Sequence, residues 1–370
     1  MSRKHFSLLL GLTLAVALLV LLIPGKTGKE SEFRKSRLLP GMQEQVNDLA
    51  WLRFTGAGGA TIATLRRGDD GWVVEESDGY RADWERLRAL LADLTQAEIV
   101  EAKTDNADYY DRLGVEDIDL PDAGGTQIGF AEASGLPALI VGKRAEGRNG
   151  QYVRLKGTAE SALIDRPLDL PAAASDWLEK QIVDVADSEV VEIEIGHPDG
   201  ERVVATKASA DDENFELQDI PEGREIRSAW TVNSLANALS SLTLEAVAGE
   251  GAIDWTDAVR FGLVTADGLR IDVDLAPVIV DDGAGDADPE HWIRLRAGLY
   301  QTAVGSGVEA SGDSTEGDST PEDEAEESST RARVINQRVS GWAYRIPQYK
   351  FDSMNKRLED LLLAVKDTDE

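Results

Sequence analysis

The chain has 370 residues, a length for about two domains, and its 69 acidic against 38 basic residues leave a formal net charge of −31. That balance excludes an ordinary nucleic-acid binder, which needs a basic face to displace counterions. The absence of cysteine excludes disulfides, thiol nucleophiles and cysteine-ligated zinc or iron–sulfur centres.

Residues 1–40 hold seven Lys/Arg and two Glu, a net of +5, so a basic head precedes an acidic body that carries −36. Within the head, residues 6–23 are uncharged and mostly apolar. As a helix they span about 27 Å, close to the thickness of a bilayer core. Arg3 and Lys4 precede this run, Pro24-Gly25 ends it, and no Ala-x-Ala cleavage site follows Ile23. The expectation is an uncleaved, single-pass anchor over residues 1–24 that meets membrane lipid through residues 6–23, then a polar stalk over 25–45. Counting Lys and Arg beyond the span argues for a cytoplasmic body, whereas a basic N-terminal start resembles an export signal and long domains translocate largely regardless of charge. The resulting expectation is an inner (cytoplasmic) membrane protein with a periplasmic or otherwise extracytoplasmic body.

Beyond Pro40-Gly41 the body alternates strands and helices. Residues 49–54, 61–65 and 72–75 read as short strands, separated by Gly56-Ala57-Gly58-Gly59 and Asp70-Gly71. Trp84, Leu87, Leu91 and Leu94 then fall on one helical face. Strands follow at 126–131, 138–142 and 151–155, and Pro171 opens a second helix through Trp177 and Ile182. The order recurs after residue 188. Strands at 190–195, 202–206 and 215–217 precede a helix with Val232, Leu235, Leu239 and Leu242, the spacing of the first quartet displaced by 148 positions. Strands at 259–264 and 269–275 come next. His291-Trp292-Ile293-Arg294-Leu295-Arg296 then reads in register with Gln151-Tyr152-Val153-Arg154-Leu155-Lys156. A last helix lies around Leu358, Leu361 and Leu362.

The fold class read from this pattern is α+β: an N-terminal single transmembrane helix followed by two similar modules of antiparallel sheet with packed helices, at 46–187 and 188–366. The other reading is two unrelated α+β domains with generic patterns. Between residues 306 and 329 there are nine Asp/Glu and no Lys/Arg. Such a stretch buries too little apolar surface to offset the entropy of ordering, so 306–333 reads as a disordered acidic insertion.

Several of these residues together resemble a known family. They are Gly71-Trp72-Val73-Val74, then Tyr80-Arg81-Ala82-Asp83 opening a helix, the Gln151-Tyr152-Val153-Arg154-Leu155 strand, and Trp177-Leu178-Glu179-Lys180-Gln181-Ile182. After a basic N-terminus and one apolar span, this ordered set is similar to the family called domain of unknown function 4340, DUF4340. The resemblance implies a membrane-anchored bacterial protein, often encoded beside an ABC-type transporter permease and an auxiliary protein of the gliding-motility type. It implies a transporter-accessory role and supplies no catalytic residue.

The residues themselves nominate no catalytic, cofactor-binding or metal site, and no cofactor is expected. Of the three histidines, His5 adjoins the apolar span, His197 sits in a Gly-His-Pro-Asp-Gly turn facing solvent, and His291 starts a strand; none forms a His-x-x-x-His pair. Gly56-Ala57-Gly58-Gly59-Ala60-Thr61 superficially resembles a dinucleotide loop but leads into a β-branched run, so it reads as a connection between strands. Asp281, Asp282, Asp286, Asp288 and Glu290 crowd one loop without the spacing of a calcium-binding EF-hand loop, and read as a solvated connection. Trp51, Trp72, Trp84 and Trp292 are expected on buried faces.

Three functions fit. The first is a noncatalytic, membrane-anchored envelope protein that serves as an accessory or partner-binding component of an ABC-type transport system, its partner a permease or auxiliary subunit. The alternatives are an envelope hydrolase using Asp/Glu and a ligand receptor binding between the two modules.

Overall fold

The computed structural model describes residues 35–209, 211–279, 289–300 and 321–364. It is a mixed α/β structure built mostly from antiparallel strands, with few helices. Among the described residues no helix is long and apolar enough to cross a membrane. The anchor expected over 1–24 lies outside them, as do residues 25–34 of the expected stalk and Asp281, Asp282, Asp286 and Asp288.

Packing divides the described residues into two compact units: those up to 61 with 89–170, and 62–88 with those from 171 onward. These differ from the modules expected at 46–187 and 188–366, because 62–88 group with the C-terminal residues. The first unit opens with β1 (Ser36–Arg37) and β2 (Trp51–Thr55). The described part of the stalk is therefore not a polar tether. β1 pairs with a later strand, and Leu38, Leu39 and Met42 are buried, since this short apolar run has a sheet edge to cover.

In the second unit lie β3 (Thr61–Gly68, from Ile62), β4 (Gly71–Val74) and β5 (Tyr80–Arg81), an antiparallel meander. Helix α1 (Trp84–Gln96) carries the chain back into the first unit with Leu87, Leu90, Leu91 and Leu94 buried. Trp84, expected on that buried face, is 51% exposed at its first turn. The first unit continues with β6 (Glu98–Ala102), β7 (Thr126–Phe130), β8 (Leu139–Arg144), β9 (Gln151–Leu155) and β10 (Ser161–Ile164).

The second unit resumes at Pro171, where the expected helix is absent. Ala174–Trp177 is one 3-10 turn, and β11 (Gln181–Val183) follows. Tertiary bonding overrides the helical pattern here: Trp177 is fully buried, its carbonyl accepts from the Asp83 amide at 2.7 Å, and Leu178 bridges to Ala82. Next come β12 (Val190–Gly196), β13 (Arg202–Thr206), β14 (Glu216–Leu217) and α2 (Ala229–Asn233). Val232, Leu235, Leu239 and Leu242 are all buried, but only Val232 is α-helical. Leu235 and Leu239 lie in a 3-10 segment and Leu242 starts β15 (Leu242–Thr243), which pairs with β11. The strands end with β16 (Ala246–Gly249), β17 (Val259–Thr265), β18 (Leu269–Val278), β19 (Glu290–Leu299) and, after helix α3 (Pro321–Val339), β20 (Trp342–Arg345). Helices α4 (Gln348–Met354) and α5 (Leu358–Leu361) close the described chain.

Helix α3 corrects the reading of 306–333 as disordered, since residues 321–333 are helical; residues 306–320 lie outside the described set. The acidic stretch ends in a helix because Ser328, Ala332 and Val339 form a buried face at i, i+4 and i+11. Ser328 Oγ donates to the Asp267 carbonyl at 2.8 Å. Asn336 donates to the Ala297 carbonyl at 2.8 Å and accepts from its amide at 2.9 Å. It thereby satisfies the edge of β19 beyond the two positions where β20 pairs with it.

Six strands follow the same order in each unit: β2-β7-β8-β9-β10-β6 in the first and β12-β17-β18-β19-β20-β16 in the second. The registers agree as well. Phe54, Ile128, Leu139 and Leu155 form one cross-strand row, and Ile195, Phe261, Val273 and Leu295 form its counterpart. All but Leu155 are buried, so both rows face a core.

A candidate binding groove on the second sheet

Strand alternation sends the neighbouring rows to the opposite face. In the first unit Thr55, Gln127, Ile140 and Arg154 align; in the second Gly196, Arg260, Asp274 and Arg294 take the same places. The two faces are finished differently. In the first unit the connection from β6 to β7, residues 103–125, folds over the face, and Tyr110, Val115 and Ile118 are buried. Its carbonyls run hard against the sheet. A Cβ on Gly142 would stand 2.3 Å from the Leu113 oxygen, and one on Gly125 would stand 2.4 Å from the Gly114 oxygen. Arg154 is trapped beneath it at 4% exposure, donating to Val115 O at 2.7 Å, Thr158 O at 2.9 Å and the Asp117 carboxylate at 2.6 Å, its guanidinium 4.6 Å from the Tyr110 ring.

In the second unit the corresponding connection, from β16 to β17, is only residues 250–258. It brings Trp255 to Arg294, 4.8 Å from ring to guanidinium, as Tyr110 meets Arg154, and stops there. Among the described residues the rest of the face is an open groove of about 810 Å³. Its charged side chains make a cross-strand lattice. Arg294 donates to Asp274 at 2.8 Å, and Arg270 to Asp272 at 2.8 Å. Arg270 also reaches over β17 to within 3.6 Å of Glu194 on β12. Gly262 makes room for that reach, because a Cβ there would lie 2.8 Å from an Arg270 nitrogen. Burial alone would lower the affinity of Arg270 for its proton, yet Asp272, Glu194 and Glu192 hold its pKa above the ordinary guanidinium value.

Two cations in the groove remain uncommitted. Among the described residues Arg260 and Arg296 have no carboxylate within 4.0 Å, and both are exposed. Glu194, Asp272 and Asp274 are engaged with Arg270 and Arg294, leaving Asp257 at the rim as the acidic counterweight.

A family model described as Domain of unknown function (DUF4340) matches residues 72–264, a little over half of the chain. The chain belongs to this family. No curated protein and no solved structure matches it. In this DUF4340 protein the matched stretch includes Arg154 and Arg260 and stops before Arg270, Arg294 and Arg296.

His197 is not solvent-facing: it is buried, its Nε2 3.2 Å from the Lys356 carbonyl, because the turn that carries it folds under the C-terminal segment. The His291 ring packs 4.6 Å from Phe351. Glu290, the described member of the acidic loop, pairs with Arg345 and accepts from the Trp292 indole at 2.9 Å. Gly58 and Gly59 donate to the carbonyls of Leu120 and Ile118 at 2.9 and 3.0 Å, and the loop leads into β3, not a helix. Trp72 and Trp292 are buried, and Trp51 is half-buried. Among the described residues no group of three His, Asp or Glu is placed to hold a metal ion. Sequence reasoning passed over Arg260 and Arg296; the signal was available in the alternation of Arg260-Phe261-Gly262 and Arg294-Leu295-Arg296, which puts charge on one face of neighbouring strands.

Proposed function

We propose that this DUF4340 protein is a noncatalytic, single-pass protein of the inner (cytoplasmic) membrane, anchored through residues 6–23, whose extracytoplasmic body binds a membrane-protein partner. The partner is an ABC-type permease or its auxiliary subunit, as the family resemblance implies. The two sheets are read as copies of one module, which their common strand order and register support.

One observation carries the partner-binding reading. The face that the first unit closes with its own residues 103–125 is, among the described residues, left open in the second, with Arg260 and Arg296 uncommitted there. A surface that one copy must cover and the other does not is a surface available to another chain.

Crosslinking in native membranes, followed by identification of copurifying proteins, tests this. Recovery of a permease or auxiliary subunit is expected, and recovery of no transporter component overturns the reading. For orientation, a C-terminal reporter active only in the cytoplasm should stay silent; a signal would place the body inside.

A further inference from the structure

We infer that the open groove of the second sheet receives an acidic peptide segment of the partner, with carboxylates set on Arg260 and Arg296. This rests on the partner-binding reading and names the chemistry of what binds. The first unit supplies the precedent within the same chain: over the equivalent rows the connection 103–125, folded in short helices and turns, sets its Asp117 carboxylate and Val115 carbonyl on Arg154. In the second unit Arg294 is satisfied by Asp274, which stands where the first unit has Ile140, so the cations left for a visitor are Arg260, two strands away on the same row, and Arg296, on the next row of the same strand.

Geometry favours a peptide over a small anion. Arg260 is on β17 and Arg296 on β19, two strand spacings across the sheet and two residues along it, about 12 Å. A single phosphate or carboxylate would have to draw both guanidinium groups together, whereas acidic side chains two or four residues apart share one face of an extended segment and rise by about 7 or 14 Å. Charge favours the same choice. In a chain with a net charge of −31, the groove sets four arginines against four carboxylates, and the two exposed arginines that have no carboxylate partner among the described residues are where it selects an anionic partner.

The test uses the full-length protein in detergent and a fluorescent synthetic peptide copying residues 113–119, which carry Glu116, Asp117 and Asp119. Fluorescence anisotropy should show saturable binding, weaker by about tenfold when salt is raised from about 50 to about 300 mM. A peptide with the three acids replaced by their amides should not bind. Arg260→Ala/Arg296→Ala should weaken binding by about tenfold, and Arg260→Lys/Arg296→Lys should largely restore it. No saturable binding, equal binding of the amide peptide, or undiminished binding by a folded alanine variant would overturn the proposal. Competition by phosphatidylglycerol vesicles but not by unlabelled peptide would also overturn it, since that marks a lipid headgroup site. If membrane crosslinking recovers a transporter component while the peptide fails to bind, the acidic-segment proposal falls and the partner-binding reading stands. If the peptide binds and no component is recovered, the reverse holds.

Discussion

Arg154 and Arg294 occupy the same place in two sheets of the same strand order, yet one is sealed beneath its own chain and the other stands in an open groove. The difference arises from the length of one connection, residues 103–125 against 250–258. Removing Arg154 leaves the Val115 carbonyl buried without its donor and frees the covering segment. Arg154→Ala should therefore cost about 2–4 kcal/mol in urea unfolding and raise amide exchange across residues 110–118. Arg260→Ala and Arg296→Ala, which break no ion pair among the described residues, should each stay within about 0.5 kcal/mol of the parent. An Arg154→Ala protein as stable as the parent would show that the segment is held by its apolar contacts alone.

The covering segment also depends on two glycines. Gly142→Ala and Gly125→Ala would push a methyl group into the backbone oxygens of Leu113 and Gly114, which cannot swing aside as a side chain can. Each substitution should cost about 1–3 kcal/mol. Gly262→Ala is the control, because its neighbour is the mobile end of Arg270, and it should cost less. Thermal melts of the three variants order them, and equal losses would contradict this packing.

Acid should loosen helix α3 through Asp267. Burial opposes ionisation of this carboxyl, but the Thr265 hydroxyl, Ser328, the Leu269 amide and Arg331 together hold its pKa below the ordinary 3.8. A carboxylate held below its unfolded value contributes stability that is present above that value and lost as pH falls through the lower folded one. The stability gap between the parent and Asp267→Asn should accordingly be widest near neutrality and shrink below about pH 4. Urea midpoints at pH 7 and pH 3 measure it, and a gap that does not change with pH would remove Asp267 from the acid response.

The surplus of negative charge sets a further expectation. Self-repulsion at −31 is screened by salt, so the melting temperature should rise between about 0.02 and 0.5 M sodium chloride. A flat or falling curve would mean that the ion pairs on the two sheets outweigh the net repulsion.

Much of the sheet architecture was legible because alternation at period two is a local signal. The register of Gln151 to Lys156 against His291 to Arg296, read from side-chain types, is the register of the two ladders. What escaped was decided by distant partners. Residues 174–183 carry a helical pattern, but Trp177 and Leu178 bond to Asp83 and Ala82, far back in the chain. Residues 321–333 look too acidic to fold until β19 and the Asp267 turn offer Ser328, Ala332 and Asn336 something to pack against. The groove escaped for a related reason. Whether a charged strand face is open depends on how far the preceding loop reaches, and a loop's length does not state where it lies.

The assignment of residues 62–88 to the second unit sets a timetable. Arg81 donates to the Arg338 carbonyl at 2.7 Å, 257 residues downstream, and Tyr80 stacks edge-on to Trp342 at 5.1 Å. As the ribosome delivers the chain from its N-terminus, the first unit has all its strands once residue 164 has emerged. The meander bearing Tyr80 must wait for most of the remaining synthesis before its aromatic partners exist. Cutting the gene at residue 187 would therefore not yield two independent halves: the upstream piece would keep Tyr80 and Arg81 without Trp342, Tyr344 and the Arg338 carbonyl, and the downstream piece would expose the rings that Tyr80 meets.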